Sequence, residues 1–362
     1  MKKRSLQRKI EAYDQGLIPL EISRGREFKE NSNFSNLSEW DRDLYKISNS
    51  WAMRRISLKM QVRSRNNGFG GPVNPHVSNR RTHIDLTIII SGIIARELGL
   101  NVRLCEAIAA GHDLGHTPFG HNGERFLELD HALNALIILH LVERNGKGLN
   151  LTWEVLSGIL NHSRNNEELY LEKDQPNEVS VVVLADKLAY LFLDIEELVI
   201  CKPDWVDFES ISKIADRLGK TRTERTYACI NALIKESRKE GRISFSEREA
   251  QIFRILRDRM YREYYKVLDF REERLYQVEN LKIVLEFFKS ENLCGNLASE
   301  FVVGMLVDEE VDSLAEVLRA GKPTEDDFKW IYQLSAVEIV RSLDGKEIDH
   351  KVSPLWKLGS VA

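Results

Sequence analysis

Cysteine is scarce in this chain. Four are present in 362 residues, Cys105, Cys201, Cys229 and Cys294, far apart and with no CxxC pair. That argues against a disulfide framework and against a thiolate zinc site, and it fits a reducing compartment, the cytoplasm. Long apolar runs are also missing. No stretch approaches the ~18 to 20 apolar residues a membrane helix needs, so no membrane partner is expected. The basic start Met1-Lys2-Lys3-Arg4 is followed by Gln7, Arg8, Lys9 and Glu11 rather than by a secretory apolar region. Neither sign of charge dominates. The 52 basic and 56 acidic residues leave a net charge of -4, which gives no global attraction for nucleic acid and leaves only a local basic patch as a route to it. Repeats and low-complexity tracts are absent. What remains is 43% hydrophobic and 30% charged, the composition of a soluble chain with a core, long enough for one large domain or two ordinary ones.

The periodicity is helical throughout. Residues 1–39 read as a polar amino-terminal arm. From Trp40 to Val62, Leu44, Ile47, Trp51, Ile56 and Met60 recur at helical spacing, interrupted by Arg54, Arg55 and Lys59. Those two arginines fit either pairing with acidic groups or pointing at a phosphate. Residues 63–79, rich in glycine, proline and asparagine, predict a loop with room for a short hairpin. Helices are predicted over 82–98, ended by Gly99, and from a cap at Asn101 to about Asp113. Others cover 132–143, 153–162 after a cap at Thr152, and 178–199. The β-branched run Val181-Val182-Val183 suits a strand, but the length of the periodic segment favours a helix. Residues 164–176 read as polar loop. Beyond residue 200, helices are predicted over 246–265, opened by a capping box at Ser246, and over 273–289, 297–306, 311–320 and 324–343. The last 18 residues look irregular. The expectation is an all-α protein with a core of about residues 40–200 and a helical region, 201–362, packed on it.

The chain turns on residues 111–124. An apolar helical run ends in the adjacent pair His112-Asp113, and a loop with three glycines and one proline then carries His116 and His121 and closes on Glu124. A site for one divalent ion with nitrogen and oxygen ligands needs three or four histidines and carboxylates converging in space. His83, His112, Asp113 and Asp186 are the candidates. Each has a plain alternative: His83 is placed to cap a helix, and any of them can be a satisfied core polar group. Asp186 is harder to explain that way, because it interrupts an apolar run and a buried carboxylate needs a cation or several donors. His116, His121 and Glu124 have the chemistry of acid-base work, since a leaving oxygen needs a proton and a histidine near neutral pKa can supply it. Glu124 equally suits the positive end of the following helix. Positions 186, 190 and 194 fall on one helix face, which offers a carboxylate, a phenol and a second carboxylate in line.

The order H…HD…D, with the tract HDLGHTPFGHNGE, resembles the HD-domain phosphohydrolases, and within them the deoxynucleoside-triphosphate triphosphohydrolases, the dGTPase-like family. Residues 53–62, MRRISLKMQV, are similar to that family's FRRLxxKTQV segment. Asn79-Arg80-Arg81-Thr82-His83 resembles its RLTH. Ala185-Asp186-Lys187-Leu188-Ala189-Tyr190, with Asp194, resembles its ADDIAYSxHD. The resemblance covers residues 40–200; beyond them only the helical character matches. Three places depart from the pattern: HALN at 131–134 stands for HNAQ, Lys187 for an aspartate, and Leu193 for a histidine.

The resemblance implies an HD-domain core and one divalent metal per subunit, manganese or magnesium first, with iron, cobalt, nickel or zinc as alternatives. His83, His112, Asp113 and Asp186 would be its ligands. His121 and Glu124 match the family's catalytic pair, His116 its phosphate-facing histidine, and His131 keeps a place in phosphate binding or proton transfer. Arg80 and Lys187 would hold phosphates, Tyr190 would pack against the sugar and exclude a 2′-hydroxyl, and Asp194 with Gln61 would read the 3′-hydroxyl. Plain surface charge is the alternative for Lys187 and Asp194, and neither His140 nor His162 is singled out. The activity implied is hydrolysis of dGTP or several dNTPs at the α-phosphorus, giving deoxynucleoside and triphosphate. The alternatives are an HD phosphohydrolase acting on another nucleotide or phosphoester, and a nucleotide-sensing protein with weak turnover. As partners the resemblance implies a homo-oligomer and leaves room for a nucleotide effector or single-stranded DNA.

Overall fold

The computed structural model describes residues 17–30, 36–63, 74–163 and 176–343. Its helices begin where small polar side chains meet orphan amides. Ser38 opens α1 (Glu39–Ser48) with a capping box, its hydroxyl accepting from the Asp41 N–H while the Asp41 carboxylate accepts from Ser38. Ser50 opens α2 (Trp51–Ile56). The expected continuous pattern from Trp40 to Val62 therefore divides at Asn49-Ser50. Ser50 caps the Met53 N–H, and the Glu143 carboxylate accepts from the Trp51 and Ala52 amides at 3.2 and 2.8 Å, so a new helix start is satisfied there. Asn79 caps α3 (Arg80–Leu98), which ends at left-handed Gly99, and Asn101 caps α4 (Val102–Gly111).

After the central loop come α5 (His121–Leu127) and α6 (His131–Ile137). The latter runs into a π turn, Ile138–Val142, and the chain reverses through left-handed Arg144, Asn145 and Gly146. α7 (Trp153–Asn161) starts after Thr152, but the Thr152 hydroxyl donates to Asp43 at 2.6 Å instead of capping the helix.

α8 (Asn177–Cys201) is the central element. Residues 179–185 are buried without a break, and Val181-Val182-Val183 is helical. The helical penalty of a valine is a few tenths of a kcal/mol, while burying its side chain contributes roughly 1.5 kcal/mol or more, so packing decides. α8 lies against α3 and α4, and α4 in turn against α1 and α7.

The sequence reading assigns no helix to residues 201–245, where α9 (Phe208–Ala215) and α10 (Arg222–Glu240) lie; α10 packs on α8 and α3. α11 (Glu247–Met260) passes into a second π turn, Tyr261–Tyr265. α12 (Glu272–Ser290), α13 (Ser299–Gly304) and α14 (Asp308–Ala320) follow, and both α12 and α13 rest on α5. The helix expected over 324–343 is two, α15 (Glu325–Ile331) and α16 (Ser335–Ser342). The second starts afresh because Glu310 accepts both the Ser335 N–H and its hydroxyl, at 2.7 and 2.8 Å.

One apolar cluster runs through both halves, from Leu20 to Leu343. Residues 17–30 are tied to it by polar contacts. Leu20 N–H donates to Glu178 and Arg24 N–H to Glu154, at 2.9 and 2.6 Å, and Arg26 binds buried Asp43. Arg55 lies beside Glu143 and Glu310, the acidic-pair alternative for that residue, and Arg54 is exposed. Among the described residues the one extended pairing is the antiparallel bridge Met60–Asn79, so the fold is the expected all-α class. The expected hairpin within 63–79, the polar loop at 164–176 and the irregular tail fall largely outside the described residues.

Candidate metal centre and its surroundings

Three helices converge on His83, His112, Asp113 and Asp186. His83 stands in the first turn of α3, His112 and Asp113 follow α4, and Asp186 is midway along α8. His83 Nε2 lies 2.9 Å from Asp186 Oδ1 and 3.2 Å from His112 Nε2. His112 Nε2 is 3.6 Å from Asp186 Oδ1 and 3.5 Å from Asp113 Oδ1, and Asp113 Oδ2 is 3.6 Å from His83 Nε2. His112 Nδ1–H donates to the Ala109 carbonyl at 2.7 Å, which turns Nε2 towards the cluster. His83, His112 and Asp113 are buried, and Asp186 nearly so.

His83, His112 and Asp113 bring their ligand atoms within 4.8 Å of one another and could hold a divalent metal, and Asp186 adjoins them through His83 and His112. Adjacent ligands around an ion with bonds of about 2.1 Å stand roughly 3 Å apart, close to the separations seen. The electrostatics agree. Burial disfavours a charged His112, yet Asp113 first and then Asp186 overcome that and raise it to about 9. Burial likewise works against an ionised Asp186, but hydrogen bonds and charge from His112 and His83 hold it far below the usual carboxylate range. The pocket thus draws positive charge into a buried place. His83 Nδ1 is buried without a hydrogen bond.

A second cluster shares Asp113 with the first. Asp113 Oδ1 is 3.1 Å from His116 Nε2, and the other nitrogen of His116 lies against Glu124 Oε1. Glu124 Oε2 also meets His121 Nδ1 at 3.0 Å and His131 Nδ1 at 3.2 Å. The His116 and His131 rings stack with centroids 4.2 Å apart. Burial, with Arg80 nearby, pushes His116 down to about 4, so it is neutral. Burial opposes charge on His131 too, but Glu124 outweighs it and raises that pKa. The loop reaches this packing only with Gly115, where a Cβ would sit 2.1 Å from the Ala135 nitrogen and the His131 carbonyl oxygen. His121 differs from the rest: its side chain is 64% exposed, placing it at the mouth of the cluster.

The remaining sequence candidates surround these two groups. Arg80 donates to Asp113 Oδ2 at 2.7 Å and to the Gln61 carbonyl at 3.1 Å, so its guanidinium braces an inferred ligand. Gln61 is buried, with Oε1 unpartnered. Lys187 and Asp194 are only 2% and 1% exposed, which removes the surface-charge alternative for both. Asp194 accepts from the Tyr265 hydroxyl. Tyr190, half-buried, faces Arg257, and burial raises its phenol pKa.

Several residues at the site carry no signal in the sequence reading. His162 Nε2 is 3.2 Å from His131 Nε2, and its ring is 5.0 Å from that of His112; a lone histidine at a helix end gave no reason to choose it. Tyr265 and Arg257 come from the second half, where no motif marks them. His140 instead pairs with Glu27, at 3.3 Å.

The family profile described as HD domain matches residues 80–191, a window that holds all four inferred ligands. A deoxyguanosinetriphosphate triphosphohydrolase-like protein of Caldanaerobacter subterraneus subsp. tengcongensis is 40% identical over 207 residues, 55% of this chain and 57% of that relative's length. One from Clostridium tetani is 33% identical over 340 residues, 84% of this chain and 94% of the relative. One from Rickettsia canadensis is 34% identical over 217 residues, 53% of this chain and 55% of the relative. Among solved structures, a hypothetical protein from Aquifex aeolicus aligns with 80% of this chain and 71% of its own at 18% identity, with a TM-score of 0.42. The chain belongs to the HD-domain family of deoxyguanosinetriphosphate triphosphohydrolase-like proteins.

Proposed function

We propose that this HD phosphohydrolase cleaves deoxynucleoside triphosphates by water attack at the α-phosphorus, releasing deoxynucleoside and intact triphosphate. The observation that carries the reading is the pair of clusters joined through Asp113: the group His83, His112 and Asp113 that could hold an ion, adjoined by Asp186, with a histidine–glutamate group 3.1 Å from Asp113. His83, His112, Asp113 and Asp186 would hold the metal. When bound, it supplies charge neutralisation on the phosphate and lowers the pKa of a coordinated water.

The chain's own residues do the rest. Glu124 is ionised and holds His121 by Nδ1, so the exposed ring can offer its other nitrogen to the 5′-oxygen as that atom leaves with its bond electrons. His116 and His131 both lie against the Glu124 carboxylate and hold it in place beside His121. Tyr190 and the Asp194–Tyr265 pair form the sugar side, where a bulky phenol next to a fixed carboxylate discriminates against a 2′-hydroxyl and reads the 3′-hydroxyl. Gln61, with a buried free amide oxygen, is the second reader.

Product analysis tests this. Each dNTP and each rNTP is incubated with the protein in Mn²⁺ and in Mg²⁺. Triphosphate and deoxynucleoside are expected from dNTPs alone, and neither from Asp186→Ala or His112→Ala. Diphosphate or monophosphate as the phosphorus-containing product would overturn the α-phosphorus assignment.

A further inference from the structure

Asp308 opens α14, in the half of the chain where the sequence shows no chemistry. Its own helix is capped by a neighbour: the Glu310 carboxylate accepts from the Val307 N–H at 2.9 Å. The Asp308 carboxylate turns away from the helix and accepts two backbone amides from the other half of the molecule, Met60 N–H at 2.7 Å and Phe119 N–H at 2.9 Å. Met60 adjoins Gln61. Phe119 belongs to the loop between His116 and His121.

That loop needs holding. Phe119 and Gly120 both have positive φ, 60° and 58°, and a non-glycine residue stays in that region only where its surroundings over-determine it. Beside Asp308, buried Lys59 donates from Nζ to the His116 carbonyl at 2.5 Å and to the Gly304 carbonyl at 3.0 Å. Gly304 ends α13, and a Cβ on it would stand 2.8 Å from Leu129 and 3.4 Å from Thr117. α13 and α14 therefore lie directly on the loop, and each is tied to it by one charged side chain.

We propose that Asp308 is a positioning residue: one carboxylate sets the spacing between the Gln61 segment and the His116–His121 loop, and Lys59 beside it fixes the same loop at the His116 carbonyl. The kinetic part of this proposal rests on the hydrolase reading above; the clamp itself does not. Both carboxylate oxygens are in use as acceptors. Asparagine, of the same shape, can satisfy one amide and turns an NH₂ against the other.

The test compares wild type with Asp308→Asn, Asp308→Ala and Lys59→Met, all loaded with Mn²⁺. Amide hydrogen exchange is followed at Met60 and Phe119 alongside metal content, melting temperature and kinetics of triphosphate release. In Asp308→Asn the two amides should exchange at least about ten-fold faster, with α3 and α8 unchanged and metal content kept. kcat should fall about ten- to a hundred-fold, because sub-ångström misplacement of reacting groups has effects of that size. KM should move far less. Lys59→Met should loosen Phe119 and leave Met60 protected. Wild-type exchange at both amides in Asp308→Asn overturns the clamp. Faster exchange with kcat unchanged overturns the positioning role, as does a fall in kcat that only tracks lost metal or lost melting temperature. If Asp308→Ala does not fold, the isosteric Asn variant still decides. If the wild type releases no triphosphate from any dNTP, the hydrolase reading and the kinetic role fail together, and exchange still decides the clamp.

Discussion

Asp312, one turn beyond Asp308 on α14, allows a sharp test of the electrostatics of the second half. Its carboxyl is pushed up to about 7, by burial first, against a hydrogen bond from Asn280 Nδ2 at 2.7 Å, with Asp308 and Glu316 adding to the rise. In an unfolded chain the group titrates near ~3.9. The folded protein thus holds this proton more tightly than the unfolded chain, so stability is greatest while the group stays protonated. It falls as pH rises from about 4 through about 7 and levels off above about 8. A shift of about 3 pH units corresponds to at most ~4 kcal/mol. The carboxyl keeps some contact with water, and screening reduces the figure to about 1–2 kcal/mol. Asp312→Asn removes the titration and still accepts from Asn280 through its amide oxygen. Against wild type the variant should gain little at pH 5 and about 2–4 °C in melting temperature at pH 8.5, at roughly 2 °C per kcal/mol for a chain of this size. Thermal melts at matched ionic strength from pH 5 to 9 measure the difference, which cancels the other titrating groups. A flat difference across that range, or a variant less stable than wild type at pH 8.5, would refute the reasoning.

His112→Ala and Asp186→Ala should each lower bound Mn²⁺ below about a tenth of the wild-type content while the far-ultraviolet dichroism stays helical, since each removes a proposed ligand; metal analysis after dialysis checks this. Glu124→Gln should keep the metal and lower kcat by about a hundred-fold or more, because the carboxylate that three histidine rings share becomes an amide. Single-turnover kinetics with a dNTP measures it. Gly115→Ala should destabilise the protein by roughly 3 kcal/mol or more, as its Cβ would meet backbone atoms of Ala135 and His131 at 2.1 Å; urea unfolding at neutral pH gives the value.

The site was legible in the sequence where its residues are neighbours in the chain. The pair His112-Asp113 and the loop to Glu124 lie within 14 residues, and so many ligand-type side chains on glycine turns have few structural uses. Asp186 was legible for a different reason, as a carboxylate set in an apolar helix. What could not be read were side chains whose neighbours follow an ordinary amphipathic pattern. Tyr265 and Arg257 sit on a helix rich in arginine and tyrosine, with nothing to say which of them turns inward. The fold class followed from periodicity, while helix boundaries failed where a tertiary contact made a new start: Glu143 at Trp51, and Glu310 at Ser335.

These hidden contacts share a direction. The inferred ligands and the histidine–glutamate group all lie between residues 83 and 186, inside the stretch matched by the HD-domain profile. Arg80 on Asp113 and the Ala109 carbonyl on His112 hold them from inside that stretch, and further contacts come from beyond it: Tyr265 on Asp194, Asp308 on Met60 and Phe119, and the Gly304 carbonyl on Lys59. A loop with consecutive positive-φ residues and a buried carboxylate shared by three imidazoles does not hold one geometry unaided, because each element has near-equivalent alternatives. Asp308 from the second half takes the Phe119 amide, and Lys59, from the first half and itself tied to the Gly304 carbonyl, takes the His116 carbonyl. In this protein the candidate reacting groups are carried by short motifs, whereas part of the packing around them comes from helices that carry no motif at all.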